Sequence, residues 1–237
     1  MIFLSVFLVS IVVGYPLWDY FYMKKGNFSN KSRMYLTIII PQWVIVAILF
    51  AYLFLTERSF VDLFYVDNPI LSAHADRMKT IGIGAITTLV VYALIFIFTP
   101  KLKQGFSKWM NNQIDAIRFM LPITLRERIL FIFVAITAGF CEEVVFRSVL
   151  LYYFEHLPFE FSIVSLIIVL SLLFGIVHLY QGWKGVLGTA YLGGILLYVF
   201  LVTGNLWLCI LIHFLIDVKF AFTSNQRPSI NNQEIAV

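Results

Sequence analysis

Apolar runs of roughly 18 to 25 residues recur along this chain, each long enough for an α-helix to cross a hydrocarbon core of about 30 Å. Hydrophobic residues make up 61% of the 237 and charged residues 13%, with a mean hydropathy of +0.90. A soluble domain carries about a quarter of its residues as charged ones. The composition therefore excludes a soluble globular protein. The expected fold class is all-α, a polytopic transmembrane helix bundle of about seven spans.

Those spans are read at 1–22, 35–56, 80–99, 129–154, 161–179, 185–203 and 206–223. The first lacks a basic n-region and a small-x-small site, so it is expected to stay rather than be cleaved. Residues 1–125 are read as N-terminal membrane helices with an interfacial amphipathic segment over 101–119. Residues 126–223 form the expected core, and the polar tail 224–237 is expected to be disordered.

Lys and Arg are distributed unequally between the two sides. The loop "KKGNFSNKSR" and the longer "KLKQGFSKWMNNQIDAIRFMLPITLRER", with Lys184, Lys219 and Arg227, carry thirteen on one side; Arg58, Arg77 and Lys79 are the three opposite. That bias predicts an external N-terminus, an external loop at 57–79 and a cytoplasmic C-terminus. The net charge of +4 needs only the lipid bilayer as its partner and no nucleic acid. Small size and short loops suggest a multi-pass protein of a bacterial plasma membrane. Cys141 and Cys209 both fall inside spans and read as small buried hydrophobes.

Ionisable groups inside a span are expensive and tend to be functional. Glu142, Glu143 and Arg147 lie in span four, His178 closes span five, and His213 and Asp217 lie in span seven. Asp19 and Lys219, near span ends, are expected to snorkel. Glu143 and Arg147, four apart with the acid first, make a favourable structural ion pair. Glu142 lies about 100° around the helix from Glu143 and has no local partner, so it is free to act as a general base. "FGIVH" puts Phe174 and His178 on one face, and "HFLID" does the same for His213 and Asp217. A histidine at a helix end is more often a cap than a ligand, and His213–Asp217 alone could be a packing contact. Six such residues in three spans are hard to ascribe to packing. Two imidazoles and a carboxylate could hold Zn²⁺ or activate a water. Depth is the difficulty: Glu142 lies about 20 Å from the span end at which His178 is expected.

"EEVVFR", "FGIVH" and "HFLID", in that order over 142–217, resemble the EExxxR, FxxxH and HxxxN/D motifs of the CAAX-processing and bacteriocin-processing (CPBP, or Abi) intramembrane proteases. The resemblance implies an endopeptidase acting on a membrane-associated peptide or lipidated protein tail, from a site that opens toward the cytoplasmic leaflet. By position, Glu142 and His178 would activate the attacking water, and His213 with Asp217 would stabilise the oxyanion or bind metal. Eukaryotic members of the family often have Asn where this chain has Asp217. The resemblance leaves open both a metalloprotease, with Glu142, His178 and His213 around Zn²⁺, and a metal-free glutamate protease. Two other classes also stay open: a non-catalytic bacteriocin immunity or binding protein, and a proton-coupled carrier. Against the carrier, no inverted repeat is visible.

Overall fold

In a computed structural model of the chain, residues 2–25, 30–56, 59, 61–65, 87, 91, 95, 99–101, 104 and 117–222 are described. The expected span 80–99, the interfacial segment 101–119 and the tail 224–237 lie largely outside those residues, as does most of the loop 57–79.

The described residues form an all-α bundle. Helix α1 (Ile2–Val9), a π-helical stretch (Ser10–Gly14) and α2 (Tyr15–Lys25) run on as one apolar rod. Helix α3 (Lys31–Leu55) is started by Asn30, whose side chain accepts a hydrogen bond from the Arg33 amide, and a short α4 (Val61–Phe64) follows. Thr124 and Glu127 make a reciprocal capping box that starts α5 (Leu125–Thr137). From there the helix continues through two π-helical stretches, Ala138–Glu142 and Val144–Val149, into α6 (Leu150–Glu155). Helix α7 (Ile163–Ile176), capped by Ser162, leads through a 3₁₀ turn at Leu179–Gln181 into α8 (Gly182–Thr203). Gly204 ends α8 in the left-handed conformation, as a C-terminal cap requires, and Asn205 then caps α9 (Leu206–Val218).

Four helical stretches are long and apolar enough to cross a membrane: Phe3–Met23, Lys31–Leu55, Leu125–Glu155 and Leu179–Thr203. The third has 61% of its apolar window buried, against 33%, 28% and 44% for the others, so it is the central element around which the rest pack. Two expected spans are shorter than their apolar runs. Helix α7 has 14 residues where 161–179 was expected, and α9 has 13 in place of 206–223. At 1.5 Å per residue each measures about 20 Å, short of a full crossing.

Close approach at two glycines fixes the centre. A Cβ on Gly139 would lie 3.1 Å from the Phe214 backbone nitrogen, so the first π-helical stretch and α9 meet almost backbone to backbone. A Cβ on Gly193 would lie 2.7 Å from Phe174 Cδ1, so α8 leaves room for that ring. The core around them includes Val144, Val149, Phe174, Leu196 and Phe200.

Candidate active site

The central helix carries two adjacent glutamates with different surroundings. Its backbone is π-helical on both sides of Glu143, a widened turn of the kind often found at functional sites.

Glu143 is fully buried. Its Oε2 is ion-paired with Arg147 Nε at 3.1 Å, one helical turn on, and its Oε1 accepts from His213 Nδ1 at 2.7 Å, across from α9. Arg147 is equally buried, lies over the Phe174 ring at 4.0 Å and donates to the Gly193 carbonyl at 3.4 Å. A buried guanidinium is tolerable only when paired and hydrogen-bonded, and these contacts supply both. His213 turns its other nitrogen, Nε2, toward Asp217 Oδ2 at 3.5 Å, and Asp217 is the more exposed of the two. The "HFLID" spacing puts that pair on one face, and the close packing at Gly139 brings the face to Glu143.

Glu142 points elsewhere. Gln42 Nε2 on α3 donates to its Oε1 at 3.4 Å, while its Oε2 has no hydrogen-bond partner among the described residues. That orphan oxygen lies 3.8 Å from His178 Nε2. His178 follows the end of α7, and its Nδ1 is 2.9 Å from the Phe174 carbonyl. The carbonyl can only accept, so Nδ1 carries the hydrogen, and in neutral His178 the nitrogen facing Glu142 is an acceptor. The expected difference in depth between Glu142 and His178 is absent. Helix α7 stops at Ile176, two residues before His178, which turns back on the central helix from the loop.

Glu142, His178, His213 and Asp217 all line one cavity of about 480 Å³. Its wall also includes Tyr15 and Asp19 of α2, Gln42 of α3, and Tyr180. Asp19 corrects the sequence reading. It does not snorkel but is 6% exposed and faces the cavity. Gln42 was not singled out either, although a lone amide in the apolar run "LTIIIPQWVIVAILF" was the available signal. Cys141 and Cys209 are buried and free.

The donor set does not fit a zinc ion held by Glu142, His178 and His213. His213 gives one nitrogen to Glu143 and faces Asp217 with the other, and among the described residues no three His, Cys, Asp or Glu side chains converge as metal ligands. Three protein ligands converging on one point are what a catalytic zinc requires.

Residues 124–218 match the family model described as Type II CAAX prenyl endopeptidase Rce1-like. The match begins at the Thr124 cap and ends with α9, so it contains Glu142, Glu143, Arg147, His178, His213 and Asp217 but not Asp19. No curated protein and no solved structure matches the chain. That segment is therefore similar to the CAAX proteases, and the four long apolar helices make the chain a multi-pass membrane protein.

Proposed function

We propose that this protein is a CAAX-type intramembrane endopeptidase that hydrolyses a peptide bond in a membrane-associated peptide or lipidated protein tail, with Glu142 as its general base. The observation that carries the reading is the unpartnered Glu142 Oε2, 3.8 Å from His178 Nε2 inside the cavity. That separation is too long for a direct hydrogen bond and suits a water bound to both groups.

The chemistry then follows from donors and acceptors. His178, its Nδ1–H given to the Phe174 carbonyl, accepts one hydrogen of the water and orients it. Glu142 removes the other proton as the oxygen attacks the carbonyl carbon of the scissile bond. The carbonyl oxygen becomes an oxyanion, to which His213 in its doubly protonated form offers Nε2–H, with Asp217 beside it. Glu143 holds the Nδ1–H of His213 and so fixes the ring. Glu142 returns its proton to the amide nitrogen, the C–N bond breaks, and the proton left on the new carboxyl group passes to the amine, so that a carboxylate and an ammonium leave.

The cavity also favours access from the cytoplasmic side. Met23, Gln181 and Lys219 line it; they lie at the end of the bundle flanked by the Lys- and Arg-rich loops, the end that the charge bias assigns to the cytoplasm.

The test is cleavage of a farnesylated peptide ending in Cys-aliphatic-aliphatic-X by purified protein and its Glu142→Gln variant. Wild type should release the terminal tripeptide, and the variant should be slower by at least about 100-fold, the usual worth of a general base. Equal rates from the two proteins, or no cleavage by wild type of farnesylated, geranylgeranylated or unlipidated peptides, would overturn the reading.

A further inference from the structure

The hydrolytic reading leaves Asp19 without a task. It belongs to α2, in a part of the chain that the family match does not cover. The side chain is 6% exposed, lines the same cavity as Glu142 and His178, and forms no ion pair or hydrogen bond with any described residue. A buried carboxylate with no counter-charge is costly unless something brings one. Glu143, by contrast, has Arg147 and His213. Lys219 lines the cavity too, but it is exposed and lies 4.9 Å over the Phe220 ring.

The neighbours of Asp19 suit a cation. Tyr15, four residues earlier on the same rod, and Tyr180 both line the cavity, and the Tyr180 ring centroid lies 6.1 Å from that of His178. A carboxylate that shares a cavity wall with phenol rings attracts an ammonium or guanidinium group through charge and through the ring faces. Because Tyr180 adjoins His178, such a group would sit close to the bond being cut.

We propose that Asp19, with Tyr15 and Tyr180, forms a subsite that receives a lysine or arginine side chain of the substrate next to the scissile bond. This rests on the endopeptidase reading for its substrate class. It adds a selectivity that the motif residues do not supply: their carboxylates serve water activation and the positioning of His213.

The experiment uses the full-length protein in phosphatidylcholine vesicles and farnesylated peptides identical except for lysine or norleucine, placed in turn at each position flanking the cleaved bond. Cleavage and equilibrium binding are measured for wild type, Asp19→Asn and Asp19→Glu. At one position wild type should favour lysine by about tenfold or more in kcat/KM, as a close charge pair does. Asp19→Asn should bring that ratio near one, whatever its absolute rates, and Asp19→Glu should restore the preference. A lysine preference that survives in Asp19→Asn, or none at any position in wild type, overturns the subsite and leaves the protease reading standing. Lysine-selective binding that depends on Asp19 in a protein that cuts no peptide would keep the subsite and remove the protease. Peptides that neither bind nor are cut overturn both.

Discussion

His213 and Glu143, 70 positions apart in the chain, are joined by a 2.7 Å hydrogen bond from Nδ1 to Oε1 in the fully buried centre of the bundle. The bond ties α9 to the central helix at the point where Glu143 also holds Arg147. One carboxylate thus anchors a cation within its own helix and a histidine from another. The adjacent Glu142 shares neither partner. Adjacent identical residues therefore have different surroundings, one ion-paired with Arg147 at 3.1 Å and hydrogen-bonded to His213, the other with nothing closer to its Oε2 than His178 at 3.8 Å.

That difference separates two substitutions. Glu143→Gln should lower thermal stability by about 3–5 kcal/mol, because an amide leaves Arg147 without a counter-charge in the interior. Glu142→Gln breaks no ion pair closer than 3.8 Å and should melt near wild type while losing peptide cleavage. Melting in detergent, read beside kcat/KM for each variant, checks both. A stable but inactive Glu143→Gln together with an active Glu142→Gln would reverse the two roles.

The donor geometry around His213 predicts the response to metal removal. Because Glu143 and Asp217 face its two ring nitrogens, dialysis of the active protein against a chelator should leave kcat/KM unchanged. Loss of cleavage in the chelator, restored by added Zn²⁺, would show that His213 is released from Glu143 to serve as a ligand.

Much of this site was legible because its contacts are local. Glu143 with Arg147, Phe174 with His178 and His213 with Asp217 are each four residues apart, and helical periodicity puts such pairs on one face. The Glu143–His213 bond was not legible, since nothing in either segment specifies which helix the other will meet. Asp19 was misread for a related reason: a carboxylate near the end of an apolar run normally reaches water, and only the packing of α2 against the turn that holds Tyr180 turns it inward. The shortness of α7 and α9 also escaped, because hydropathy measures the apolar run and not where the helix in it stops. The π-helical turns around Glu143 leave no mark in composition at all.

Asp217 stands where related motifs often have asparagine, and its contact with His213 is the weaker of that ring's two, 3.5 Å against 2.7 Å. Glu143 therefore does most of the orienting. Asp217→Asn should keep more than about a tenth of wild-type kcat/KM, since losing one long hydrogen bond costs about 1 kcal/mol. An amide can still donate to an oxyanion. A folded Asn variant that binds peptide but has fallen to about a hundredth, the loss typical of a required charged partner, would assign Asp217 an essential charge.

Gly193 offers a test of how the packing behind the site supports its chemistry. It leaves room for Phe174, and Phe174 in turn lies under Arg147 and accepts through its carbonyl from His178. A methyl group at 193 would meet the ring at 2.7 Å, inside van der Waals contact, and Phe174 sits on α7 with buried neighbours that limit its movement. Gly193→Ala should therefore destabilise the protein by about 1–3 kcal/mol, as overpacking does. It should also lower kcat/KM, because displacing Phe174 moves the acceptor that fixes His178. Gly14→Ala is the control: a Cβ there meets nothing within 4 Å, so melting should stay level or rise slightly. Gly193→Ala melting at the wild-type temperature with full activity would mean that the ring yields without cost and that His178 is held by something other than Phe174.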